Sequence, residues 1–96
     1  MGVNVVLPQV LRNDSDGAAQ VALALGEDGQ VPLRRVLDEL ARRYPRLDRR
    51  LRDERGELRR YVNVFVGDDE CRSRAGLETP VTDGAEVRVL PSVAGG

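Results

Sequence analysis

Apolar residues alternate with polar ones near both ends of the chain, and between those stretches they recur at helical spacing. Val3, Val5 and Leu7 fall on one face of a first strand, with Asn4 interrupting the run, Val6 pointing the other way and Pro8 limiting its extension. Asn13-Asp14-Ser15-Asp16-Gly17 is turn chemistry and predicts a loop. Val21, Leu23 and Leu25 then alternate over residues 20–25, a second strand able to pair with the first as a hairpin that Gly26 and Gly29 close. After Pro32, suited to a first helical turn, the set Leu33, Val36, Leu37, Leu40, Ala41 and Tyr44 follows the i, i+3, i+4 rhythm of an amphipathic helix that Pro45 ends.

Beyond the helix, Leu47 and Leu51 predict a short turn among arginines, and Asp53-Glu54-Arg55-Gly56 a loop. Residues 61–66 form the clearest strand, with Val62, Val64 and Val66 on one face and Tyr61, Asn63 and Phe65 on the other. Residues 67–70 turn the chain. In the turn-rich stretch 76–84, Leu77 and Val81 are expected to plug the core. A last strand, residues 86–90, carries Val87 and Val89 on one face and leads into Pro91-Ser92-Val93-Ala94-Gly95-Gly96. One helix over one mixed sheet is an α+β architecture, with a body at residues 1–90 and a flexible tail at 91–96.

Ninety-six residues suffice for one domain and one modest core. With 41% hydrophobic and 32% charged residues the chain reads as globular rather than disordered, and no apolar run approaches the roughly 20 residues of a membrane helix. The N-terminal stretch has neither a basic leader nor a cleavage region, and Val6 stands where myristoylation after Gly2 wants Ser or Thr, so the expected location is cytoplasmic.

Absences narrow the chemistry further. Without histidine the chain lacks the usual general base near neutral pH and the commonest metal ligand. Cys71 is alone, with no disulfide partner and no imidazole to activate it, and reads as a small hydrophobe in a strand or loop. No catalytic residue and no metal site are expected. All fifteen basic residues are arginine, so the chain offers no lysine for isopeptide chains of its own kind. Residues 34–60 hold eleven arginines against six acids, net +5, and the remainder is net −6. With only Tyr44, Tyr61 and Phe65 as aromatics, and with Asp38–Arg42 and Glu39–Arg43 at i,i+4 spacing, the basic stretch reads as a steering and solvated surface, not a nucleic-acid site.

Gly95-Gly96 is the candidate chemical handle. Glycine passes through slots too narrow for a side chain and lets a catalyst approach the terminal carbonyl. That carboxylate is ionised at neutral pH, a poor electrophile that needs a leaving group such as an adenylate before sulfur can attack. An incidental chain end or a linker is the alternative.

The element order, together with the segments at 61–70 and 76–84 and the ending Val89 to Gly96, resembles the ubiquitin-like sulfur carriers of the MoaD/ThiS family, nearest to its CysO type. The resemblance implies a ubiquitin-like β-grasp fold. It implies that an E1-like adenylating and sulfurtransferase enzyme uses ATP to activate Gly96, which becomes a thiocarboxylate, and that the carrier itself binds no cofactor. Gly95, Ala94 and Val93 would thread the partner's active site, Pro91 would stiffen the exit, and Phe65 and Leu90 are candidate docking residues, each equally suited to the core. In the CysO type a cysteine synthase takes the sulfur and a zinc metalloprotease trims the product. MoaD-type delivery to a molybdopterin precursor is the alternative, Ser92 replacing the proline common in such tails. Sulfur delivery to a thiosugar or other secondary metabolite is another. A ubiquitin-like protein modifier and a β-grasp binding module with an incidental tail are the competing classes. Neither nucleic acid nor membrane is an expected partner.

Overall fold

The computed structural model describes residues 1–91. Strand β1 (Gly2–Val6) pairs antiparallel with β2 (Gln20–Ala24), setting Val5 opposite Val21 and Val3 opposite Leu23, all buried. The connection differs from the expected loop: a 3-10 helix occupies Gln9–Ser15, because Leu11 is drawn into the core. Turn chemistry acts only at its end. There the Ser15 hydroxyl, 2.9 Å from the Ala18 carbonyl, bonds it, and Asp16 and Gly17 take left-handed conformations (φ 55° and 83°).

Strand β3 (Gln30–Pro32) and strand β6 (Pro80–Thr82), neither expected, form a separate antiparallel pair with Val31 opposite Val81. Three-residue strands each carrying a proline have no period to read. The pair has a clear role, since the Leu33 amide donates to the Thr79 carbonyl at 2.9 Å and satisfies the first turn of helix α1 (Leu33–Arg43). Pro45 ends α1 as expected, but it also opens a second helix, α2 (Pro45–Leu51), where a short turn was anticipated. Leu47 and Leu51, one helical turn apart, are both buried and hold α2 on the body.

Strand β4 (Val62–Val66) turns through Gly67-Asp68 into the two-residue β5 (Asp69–Glu70). Strand β7 (Glu86–Pro91) enters the sheet centre, parallel to β1 (Val5 opposite Val87) and antiparallel to β4 (Val64 opposite Val89), giving the order β2-β1-β7-β4-β5. The inner face presents Val3, Val5, Val21, Leu23, Val62, Val64, Val87 and Val89 to Leu33, Val36, Leu37 and Leu40 of α1. This is the expected mixed sheet grasping one main helix. Of the two expected core plugs, Val81 is fully buried and Leu77 is partly buried against the core.

The expected Asp38–Arg42 and Glu39–Arg43 pairs do not form. Arg42 turns to Glu39 three residues back, and Arg35 reaches the same carboxylate at 3.2 Å while bonding Glu27 at 2.6 Å. Asp38 is taken by Arg52, whose buried guanidinium lies 2.9 Å from Asp38 and 2.7 Å from Asp48. Burial opposes the charge on Arg52, but the two carboxylates outweigh it and raise its pKa. Arg43 donates instead to the Ala22 carbonyl at 2.9 Å and lies over the Tyr44 ring.

Replacing Leu37 by alanine is expected to cost about 2–5 kcal/mol of unfolding free energy in urea titrations, because it empties a fully buried site between helix and sheet. Val10→Ala, at a position 58% exposed, should stay within about 0.5 kcal/mol. Three carboxyls have lowered pKa values: Glu39 through Arg42 and then Arg35, Glu27 through Arg35, and Asp53 chiefly through the backbone amide of Glu57. Their contribution is present above the unfolded values near pH 4 and is lost as the pH falls through the lower folded ones. Calorimetry should show the melting temperature falling on acidification below about pH 4, and falling less in Glu39→Gln.

Candidate functional site

The strand that leads to the diglycine lies inside the sheet, between β1 and β4. Val87 and Val89 are wholly inaccessible on the inner face, while Glu86, Arg88 and Leu90 project outward. Pro91 still lies in the strand, opposite Val62, so the sheet extends one residue beyond the expected 86–90. β1 pairs with β7 as far as Arg88 and β4 as far as Pro91, so the end of the strand is held by β4. Val93, Ala94, Gly95 and Gly96, the expected threading and sulfur-carrying residues, lie outside the described residues.

Phe65 and Leu90 are outside the core. Phe65 stands opposite Arg88 and Leu90 opposite Asn63, so the two are diagonal neighbours on the outer face, within roughly 8 Å reach of one another. Leu90 is 38% exposed and Phe65 half-buried. Val6, paired with Arg88 from the other side, extends the apolar surface across three strands. Arg88 bonds Glu86 along its own strand at 2.8 Å. Of the pair, Leu90 is the more exposed and lies nearer the sheet's exit end.

Two residues that the sequence did not single out for docking join this region. Tyr61, 53% exposed, immediately precedes β4, and its alternation with Asn63 and Phe65 was the signal that could have marked it. Arg72 ties the exit together, donating to the Val62 carbonyl at 2.7 Å and the Arg59 carbonyl at 2.8 Å, with Asn63 Oδ1 at 3.3 Å. Its partners are nine to thirteen residues away, a separation with no sequence periodicity to reveal it.

Cys71 is fully buried in the 3-10 turn Cys71–Ser73, and burial, reinforced by neighbouring Glu70, pushes its thiol up to about 11. A thiol so placed is almost wholly protonated at neutral pH and unsuited to nucleophilic work. Among the described residues no three His, Cys, Asp or Glu side chains gather as a metal-binding group, and no helix is long and apolar enough to cross a membrane. The geometry provides an apolar and aromatic surface beside a rigid strand exit.

Comparison with known proteins gives this arrangement its meaning. A family model described as the ThiS family matches residues 18–96. The sulfur carrier protein CysO of Mycobacterium tuberculosis is 38% identical over 98 aligned residues, covering 100% of both chains. A chain in the crystal structure of the Amycolatopsis orientalis BexX/CysO complex superposes with a TM-score of 0.83 at 35% identity, covering 98% of this chain and 99% of that one. SAMP1 from Haloferax volcanii superposes with a TM-score of 0.82 at 26% identity, covering 100% of both. The chain belongs to the ThiS family: it is a ubiquitin-like sulfur carrier, a protein cosubstrate and not an enzyme.

Proposed function

We propose that Gly96 is the atom-bearing site of the carrier and that its partners follow the CysO pattern. The observation that carries this reading is the end-to-end match to CysO, with the family match running through residue 96. An E1-like enzyme transfers AMP from ATP to the Gly96 carboxylate, releasing pyrophosphate. Sulfide sulfur then attacks the activated carbonyl carbon, AMP leaves, and a thiocarboxylate remains. A cysteine synthase takes up that sulfur, and a zinc metalloprotease frees the carrier by removing the added cysteine. The setting is cytoplasmic, where ATP and sulfide are at hand.

The body's part is recognition and aim. Five residues beyond Pro91 span at most about 17 Å when extended, enough to bring Gly96 into a buried active site while the globule stays outside. Gly95, Ala94 and Val93 occupy the channel in that arrangement, where small side chains minimise steric conflict. Leu90 and Phe65 lie on the outer face, near the start of this reach, and supply apolar contact with the partner.

Incubation with the cell's E1-like enzyme, ATP and sulfide should raise the intact mass by one oxygen-for-sulfur exchange, located in the C-terminal peptide. A chain lacking Gly95 and Gly96 should show no gain. Absence of the gain in the full chain overturns the reading. Leu90→Asp should raise the carrier KM in that reaction about tenfold with kcat little changed, as expected for loss of uniform binding. The likeness to SAMP1, named a small archaeal modifier protein in a second structure from the same organism, favours one other outcome. Adducts to other proteins that survive thiol and denaturant would identify a modifier.

A further inference from the structure

An activated carboxyl is a hazard to the protein that carries it, since any amine or thiolate within reach can consume it. In such a loss the nucleophile attacks the Gly96 carbonyl carbon, a C–N or C–S bond forms, the C–O bond to AMP breaks, AMP leaves and the nucleophile's proton passes to water. Four features of this chain close those routes. No lysine is present, and all fifteen side-chain cations are guanidinium groups, which remain protonated. No histidine is available, so the hydroxyl groups have no imidazole base beside them. The single thiol, Cys71, is inaccessible in the core and weakly acidic there. The Met1 ammonium donates to the Leu25 carbonyl at 3.1 Å, and the parallel register of β1 with β7 sets it at the end of the sheet opposite the exit.

We propose that the folded chain is chemically inert toward its own activated C terminus, with its one thiol shut in the core and no side-chain amine near the exit, so that activated Gly96 is left to the nucleophile of a partner. The exit region shows why this matters. Exposed Arg60 lies two residues before Val62, the partner of Pro91 in the sheet, within the span of the tail. A lysine there would sit at an effective concentration on the order of millimolar relative to the terminal carbonyl. Arginine keeps the charge and withholds the nucleophile.

The inference rests on Gly96 being activated in function, but its test needs no activating enzyme. The full chain is prepared with a C-terminal alkyl thioester, and its fate is followed by intact mass and peptide mapping. Amide formation would show as loss of the alkyl thiol with no water gained. The folded wild-type chain should lose the thioester only to hydrolysis. R60K should form an internal amide resistant to hydroxylamine at least about tenfold faster than the wild type. In denaturant, the wild-type Cys71 should become accessible and give self-thioesters that hydroxylamine reverses. Self-adducts at Met1 or Cys71 in the folded wild type, or no excess amide in R60K, would overturn the proposal. Failure of enzymatic sulfur loading would count against the Gly96 reading alone, because the thioester is installed chemically.

Discussion

The parallel pairing of β1 with β7 is the constraint on which the rest of the structure depends. It joins the first strand of the chain to the last across more than eighty residues, setting Asn4, Val5 and Val6 against Glu86, Val87 and Arg88. Parallel neighbours need a long crossover, and the intervening chain supplies it with helix, β4 and the small β3–β6 pair. Once β7 is seated between β1 and β4, its valines complete the surface on which α1 packs. The entropy of closing so long a loop is recovered only when that core forms, which ties the seating of β7 to the folding of the whole domain.

The same pairing separates two tasks. In the proposed function, recognition falls to the outer face and the exit, where Leu90, Phe65, Tyr61 and the carbonyl-binding Arg72 are held by strand register and hydrogen bonds. The chemistry, in that proposal, falls to the carboxyl of Gly96. Side chains that could take part in that chemistry are scarce on the body, and Cys71 is shut in the core. A carrier built this way needs partners for every bond it makes or breaks, in keeping with its place among sulfur carriers.

Electrostatics complete the picture on the helical side. The basic stretch does not remain a free patch: Arg34 reaches Glu78, Arg50 reaches Asp14 and Arg52 gathers Asp38 and Asp48. Exposed pairs of this kind contribute little individually. The Arg52 cluster differs because its guanidinium is buried and each remaining charge there depends on its partner.

Strict alternation at Val3-Val5-Leu7, Val21-Leu23-Leu25, Val62-Val64 and Val87-Val89 made the four long strands legible, and the helical spacing from Leu33 to Leu40 did the same for α1, because one-sided burial imposes the period of each element on the sequence. The glycine pair likewise marked the candidate handle, and the absence of lysine and histidine narrowed the side-chain chemistry. Tertiary structure alone decided the rest. Three-residue strands such as β3 and β6 are too short to carry a period, and the 3-10 helix at Gln9–Ser15 exists because Leu11 finds the core. Ion-pair choice follows proximity in space, so Asp38 joined Arg52 across fourteen residues in place of Arg42 at four. The placement of Phe65 and Leu90 outside the core also required the fold, since alternation separates the two faces of a strand but only packing chooses which face is covered.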